Sequence, residues 1–223
     1  MKKSVGVITI GQTPRVDMIP AIRTFLPNET QIIEKGVLDG KLENEILALA
    51  PETGQTTLVS RLQSGESAIM AKEKILPIIQ TLIDELNQEN ISLIVLACTG
   101  TFPVFSSNIP IVYPDYLLNY IVKGLLREGK LGVVVPLPEQ AESIKDKWKN
   151  VGFSTHTTAC SPYSFKEENL IHAIKQLDSL PIKAIVLDCM GYTEEMKTIA
   201  QSHTEKPVIL SRNMIYKVSG EVP

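Results

Sequence analysis

Two cysteines in matched surroundings are the residues best placed to do chemistry in this chain. Leu93-Ile94-Val95-Leu96-Ala97-Cys98-Thr99-Gly100 and Ala184-Ile185-Val186-Leu187-Asp188-Cys189-Met190-Gly191 share the pattern I-V-L-x-C-x-G. An apolar run ending in Cys-x-Gly puts the thiol at the carboxyl end of a strand. There it lies near the first free amides of the next helix, whose partial positive charge favours thiolate. The glycine after each cysteine permits close approach of a ligand to the backbone. If the two segments face each other across a cleft, one thiolate removes a proton from a carbon acid while the other thiol delivers one from the opposite side. That inverts a stereocentre without metal or cofactor. The competing reading is duplicated core packing, because cysteine in a buried strand is commonly inert. Cys160 has no twin and precedes Ser161-Pro162, which marks it as structural.

The elements that must position these thiols alternate along the chain. Apolar runs at Val5 to Ile10, Ile91 to Ala97, Leu131 to Val135, Ala184 to Leu187 and Val208 to Leu210 predict strands buried on both faces. Between them, Ile75, Ile78, Ile79, Leu82 and Leu86 form one helical stripe and Ala141, Ile144, Trp148 and Val151 another. Pro77 must sit in a first turn or cause a kink. Ser164 with Glu167 reads as a capping box opening a helix that carries Leu170, Ile174 and Leu177. This β-α-β-α order predicts an α/β fold of parallel sheets, with ligands bound beyond the carboxyl ends of the strands. The paired motifs, and the similar openings Val5-Gly6-Val7 and Leu131-Gly132-Val133, predict two similar α/β lobes. The expected boundaries are residues 1–113, with an insertion at about 41–67 around Pro51-Glu52-Thr53-Gly54, then 114–210, then a C-terminal helix over 211–223 packing back on the first lobe.

By position, Gly11, Gln12, Thr13 and Arg15 follow the first strand, Thr99, Gly100 and Thr101 follow Cys98, and Ser211, Arg212 and Asn213 follow the last strand. Arg15 or Arg212 can hold a carboxylate as a bidentate pair, and amides at Gly100-Thr101 and Gly191-Tyr192 can hold a second anionic oxygen. The alternatives are solvated surface charges for the arginines and, for Thr13-Pro14, an ordinary helix start. Asp188 points to the face opposite Cys189 if the strand is regular there, which suits a structural hydrogen-bonding role; it polarises the site only if the strand has already ended. Arg61 is a candidate lid residue. His156, His172 and His203 lack metal-ligand spacing with each other or with the cysteines, and His172 lies off the apolar face of its helix, so no metal site is expected.

The composition excludes several classes. With 22 Lys plus Arg against 25 Asp plus Glu, the net charge of −3 offers no footprint for nucleic acid or an anionic membrane. The charge-free stretch from Asn90 to Pro114 carries Pro103, Ser106, Ser107, Asn108 and Pro110, and reads as strand, loop and strand rather than a membrane span. Lys2 and Lys3 precede an apolar run too short for a secretory leader, so a cytoplasmic protein is expected. Three widely spaced cysteines argue for reduced thiols. No Walker loop, no G-x-G-x-x-G after a strand and no G-x-S-x-G elbow is present, so no nucleotide cofactor is indicated.

At the residues above the sequence resembles the aspartate/glutamate racemase superfamily and, within it, most closely the AroM-like proteins. Gly11-Gln12-Thr13-Pro14-Arg15, Pro51-Glu52-Thr53-Gly54-Gln55 and Leu187-Asp188-Cys189-Met190-Gly191 carry the match, which spans essentially the whole chain. The resemblance implies two α/β lobes related by a pseudo-twofold axis, an interlobe active site, and cofactor-independent proton transfer at an acidic carbon. Cys98-Thr99 matches the superfamily's first cysteine motif and Cys189 the second in position. Glutamate racemases place an acidic residue after the first strand and a histidine near the second cysteine; here those positions read Gly11-Gln12-Thr13 and Met190-Gly191. The expected function is a racemase or epimerase-like enzyme for a small carboxylate or amino-acid-like substrate, with Cys98 and Cys189 as acid/base pair. The alternatives are a cysteine-dependent isomerase or decarboxylase, or a non-catalytic small-carboxylate binder. A homodimer is implied by resemblance only.

Overall fold

The structure, a computed structural model, describes residues 4–223, so Lys2 and Lys3 lie outside the described residues. In chain order the elements are β1 (Ser4–Thr9), α1 (Ile19–Arg23), β2 (Gln31–Gly36), α2 (Glu43–Leu47), β3 (Thr57–Arg61), β4 (Ser67–Ala71), α3 (Lys72–Leu86), β5 (Leu93–Leu96), β6 (Ile111–Val112) and α4 (Pro114–Leu126). There follow β7 (Gly129–Val135), a 3-10 turn at Pro138–Gln140, α5 (Ala141–Lys149), β8 (Phe153–Ala159), α6 (Glu167–Asp178), β9 (Ala184–Leu187), α7 (Glu194–Gln201), β10 (Val208–Leu210) and α8 (Ser211–Glu221). The fold is α/β, with two four-stranded parallel sheets and one antiparallel hairpin.

The two sheets repeat one topology. Their orders are β2-β1-β5-β6 and β10-β9-β7-β8, so in each the strands, taken by appearance, lie second, first, third, fourth. The pairing registers match as well: Val5 to Ile8 lie opposite Leu93 to Leu96, and Leu131 to Val134 opposite Ala184 to Leu187. In this arrangement the strand order reverses between the first and third strands, and the crevice at their carboxyl ends is where open parallel sheets bind ligands.

The chain divides into two compact units, one running to Pro114 and including Ile215–Pro223, the other Asp115–Met214. In the first unit Ile75, Ile79, Ile83 and Leu86 of α3 pack with Ile8, Ile94 and Leu96 of the sheet and with Leu58 and Met70 of the β3–β4 hairpin. In the second, Leu170, Ala173, Ile174 and Leu177 of α6 pack with Val134, Ile185 and Leu187, joined by Met196 and Ala200 of α7. Each buried Val, Leu, Ile or Met side chain among them contributes about 1.5–3 kcal/mol. His172, on the other side of α6, is exposed.

Several local expectations need correction. The strands β2 and β8 were not expected, because Gln31, Glu34 and Lys35 in one, and Ser154 to Thr158 in the other, break the apolar run; both are sheet edges, where most such residues are only partly buried. The Ser164–Glu167 capping box does not form. The Ser161 hydroxyl accepts the amides of Tyr163 and Ser164 instead, and α6 opens three residues later with Lys166 at its N-cap. Thr13-Pro14 is not a helix start: its peptide bond is cis, the Thr13 amide and hydroxyl both donate to Asp39 at 2.7 Å, and α1 begins only at Ile19. Pro77 lies inside α3, past its first turn. The 41–67 segment contains α2 and the β3 strand, which pairs antiparallel with β4, a local exception to the parallel pattern.

Candidate active site

Each repeated cysteine sits in the same local geometry. Cys98 and Cys189 follow β5 and β9, the third strands of their sheets, and both are half-buried and outside any disulfide. In each loop the glycine two residues on turns its amide back onto the sulfur: Gly100 N–H donates to Cys98 Sγ and Gly191 N–H to Cys189 Sγ, both at 3.4 Å. The sequence placed the thiols near helix N-termini, and here the structure differs. Residues 97–110 run as an irregular loop after Cys98, and α7 opens only at Glu194, with Thr193 as its cap accepting the Met196 amide. The repeated feature at each sulfur is therefore a backbone amide of its own loop rather than a helix N-terminus. Of the amides expected to cradle an anion, those of Gly100 and Gly191 are directed at the sulfurs, and that of Tyr192 donates to the Cys189 carbonyl at 3.4 Å. Thr99 beside Cys98 is buried, and Thr101 is exposed.

Around Cys189 the structure adds Tyr163, which sequence reasoning missed. Its hydroxyl lies 3.6 Å from Cys189 Sγ. A Cβ at Gly191 would come within 2.8 Å of the Tyr163 ring, so glycine there is what admits the phenol. The only sequence signal was its position shortly after Cys160 at the carboxyl end of β8. The Tyr192 side chain is fully buried and donates to the Cys160 carbonyl at 2.7 Å, bracing the two loops against each other. Burial, with the nearby Cys189, Cys160 and Asp188 charges, pushes its phenol well above the ordinary range. Burial also pushes the Cys160 thiol up, in keeping with a structural role. Asp188 turns inward and accepts from Lys147 Nζ at 2.8 Å and Trp148 Nε1 at 3.0 Å.

In the first unit the hairpin strand β3 lies across the loops that follow β1 and β5. Leu58 meets Gly100, where an added Cβ would be 2.9 Å from Leu58 Cδ2, and Gly11 meets Ser60 and Arg61. Gln12 N–H donates to the Arg61 carbonyl at 3.1 Å, and the Gln12 side chain donates to the Leu38 carbonyl and accepts the Gln63 amide. Gly11, Gln12 and Thr13 are thus engaged in holding the hairpin and the Asp39 turn. Arg15 is neither a surface charge nor a free carboxylate clamp. It is buried, binds both Asp17 oxygens at 2.8 Å, and donates to Thr9 and Ser60. Burial pushes the Asp17 carboxyl up, but the Arg15 hydrogen bonds and charge, helped by Arg61, hold it below its usual range. A cavity of about 280 Å³ opens here, lined by Gln12, Arg15, Asp17, Arg61 and Gln63 among others.

In the second unit Ser211 is buried and donates to the Leu187 carbonyl at 2.6 Å, fixing the start of α8 to the end of β9. Arg212 and Asn213 are also buried, and Asn213 donates to Glu194; the surface-charge reading of Arg212 is excluded. Among the described residues no three His, Cys, Asp or Glu side chains gather as a metal site, and no helix is long and apolar enough to cross a membrane.

Several solved structures share this fold. Unliganded arylmalonate decarboxylase superposes with a TM-score of 0.63 at 12% identity, covering 99% of this chain and 92% of that one. Glutamate racemase from Aquifex pyrophilus gives 0.60 at 15% identity, covering 98% and 83%. The maleate isomerase Iso from Pseudomonas putida S16 gives 0.62 at 14% identity, covering 96% and 90%. No curated protein matches the sequence. The family model described as AroM protein matches residues 5–222, and the chain belongs to the AroM family.

Proposed function

We propose that the protein is a cofactor-independent racemase or isomerase-type enzyme acting on a small carboxylate, with Cys98 and Cys189 as its acid/base pair. The observation that carries this is the repeated Cys-x-Gly loop, in which an amide donates to the thiol sulfur at 3.4 Å at the end of equivalent strands. A donor at sulfur favours the anionic form that abstracts protons. One thiolate takes the proton from the carbon next to the carboxylate, leaving the electron pair on that carbon. The other thiol then delivers its own proton from the opposite side, and the two sulfurs exchange roles without any change of oxidation state. The compounds named for the structural neighbours, an arylmalonate, glutamate and maleate, are all carboxylates, which supports the substrate class.

The test is solvent deuterium incorporation across a panel of small α-substituted carboxylates and dicarboxylates. Exchange at the α carbon with inversion is expected for wild type. Cys98→Ser and Cys189→Ser should each reduce it by about 10²–10⁴-fold. Loss of carbon dioxide or movement of a double bond would place the chemistry with a decarboxylase or isomerase using one thiol. Ligand-induced thermal stabilisation that survives both substitutions, with no turnover, would overturn catalysis in favour of a binding protein.

A further inference from the structure

We propose that the Tyr163 phenol is the hydrogen-bond partner of the Cys189 sulfur and sets the protonation state from which Cys189 acts. The inference rests on the acid/base reading above and adds to it a residue outside the repeated motif.

The geometry has three independent parts. The Tyr163 hydroxyl stands 3.6 Å from Cys189 Sγ, within reach of an O–H···S contact. The ring is seated by its own loop, because the Ser161 hydroxyl accepts the Tyr163 amide at 3.2 Å and the Ser164 amide at 3.4 Å, closing a tight turn after β8. Its place over the cysteine loop is open only because residue 191 is glycine: an added Cβ would sit 2.8 Å from Tyr163 Cε1 and 2.9 Å from Cζ and from Pro162 Cγ. In the other unit the seat over the matching Gly100 is filled by Leu58, which has no proton to offer. The duplicated thiol loops are thus covered by a phenol in one case and an aliphatic side chain in the other.

A phenol next to a thiolate donates, and a hydrogen bond to the charged form favours that form. Beside the Gly191 N–H directed at the sulfur, the phenol supplies a further donor. When Cys189 removes a proton from a carbon acid, an S–H bond forms, the C–H bond breaks, and the electron pair stays on carbon. The phenol keeps its own proton throughout and turns to accept from the new S–H. Tyr163 is therefore a positioning residue for the thiol.

The decisive experiment is the pH dependence of alkylation at each cysteine, followed by mass spectrometry on the intact folded protein, in wild type and Tyr163→Phe. Phenylalanine keeps the ring over Gly191 and removes only the hydroxyl. The Cys189 midpoint is expected to rise by about one pH unit, roughly tenfold in thiolate at a given pH, while the Cys98 midpoint stays where it was. Gly191→Ala, which crowds the ring away from sulfur, should move Cys189 in the same direction. For any acid that wild type exchanges, Tyr163→Phe should lower kcat about tenfold with KM unchanged, and shift the acid limb of the rate profile with the alkylation midpoint. An unchanged Cys189 midpoint, an equal shift at Cys98, or a Cys189 inert at every pH would overturn the proposal. If the midpoint moves while deuterium exchange is indifferent to Cys98→Ser and Cys189→Ser, the hydrogen bond stands and its catalytic role falls with the acid/base reading.

Discussion

Lys147 Nζ stands 2.8 Å from each oxygen of Asp188, the residue immediately before Cys189, in a pair almost wholly closed to water. Trp148 Nε1 donates to the same carboxylate, and Asn119 donates to the Lys147 carbonyl, so the end of β9 is tied to α5. Removing one charge leaves the other buried and uncompensated. Lys147→Met is expected to cost about 3–5 kcal/mol in urea denaturation, and Lys147→Met with Asp188→Leu to recover most of it.

Asp115 lies near this pair with one buried oxygen, Oδ1, that finds no hydrogen-bond partner. Burial raises its carboxyl above the ordinary value of 3.8, against the lowering effect of nearby amides and Lys147. A raised folded pKa means the fold holds the proton more tightly than the unfolded chain. The group's stabilising contribution is complete below about pH 4 and is lost as pH rises through the folded value. Asp115→Asn should therefore be more stable than wild type by about 1 kcal/mol at pH 7 and no more stable at pH 3, measured by thermal melts across that range.

Asp17 has the opposite sign. Its folded pKa lies below the ordinary 3.8, so the unfolded chain takes up the proton first as pH falls. The contribution of the Arg15–Asp17 pair is complete above about pH 5 and is lost as pH falls through the folded value. Asp17→Asn is expected to cost about 1–3 kcal/mol at pH 7 and almost nothing near pH 2, which chemical denaturation at the two pH values would read.

Gly11 has no room for a side chain. An added Cβ would stand 2.4 Å from the Arg61 carbonyl oxygen and 2.5 Å from Ser60 Oγ. Gly11→Ala must lift β3 off the loop that follows β1, at a cost of about 1–3 kcal/mol. Faster hydrogen exchange at the Gln12 amide, which bonds the Arg61 carbonyl, would locate the damage; an unchanged exchange rate would refute it.

Much of the fold was legible because the buried strands and the helices carry clean periodicities. The strands after which Cys98 and Cys189 stand, and the apolar faces of α3 and α6, follow directly from Leu93 to Leu96, Ala184 to Leu187, Ile75 and Ile79, and Leu170 and Ile174. Of the four edge strands, β2 and β8 were hidden because residues such as Glu34, Lys35 and Thr155 to Thr158 carry no apolar signal, whereas the apolar edge strand β10 was legible. The repeated motif located the two thiols but not what serves them. Their donors are backbone amides of a tight turn, and Tyr163 arrives from another strand's loop, a distance in sequence that no local pattern spans. The binders chosen by position, Gln12, Thr13, Arg15 and Ser211, lie where expected along the chain. Each is drawn instead into a hydrogen bond with Leu38, Asp39, Asp17 or Leu187, partners that only the folded chain brings near.

The helix α8 begins at Ser211 within one compact unit, and from Ile215 onward its residues belong to the other. There Ile215, Tyr216 and Ser219 are buried, and Gly220 lies against the Phe25 backbone. The unit containing β1 is consequently discontinuous in order of synthesis. Its sheet strands leave the ribosome early, but the segment that completes it is made only after the whole of residues 115–214. The last-made turns of helix are the closing piece of the first-made unit, so a chain stopped after Met214 holds every residue of the second unit and leaves the first without its final segment.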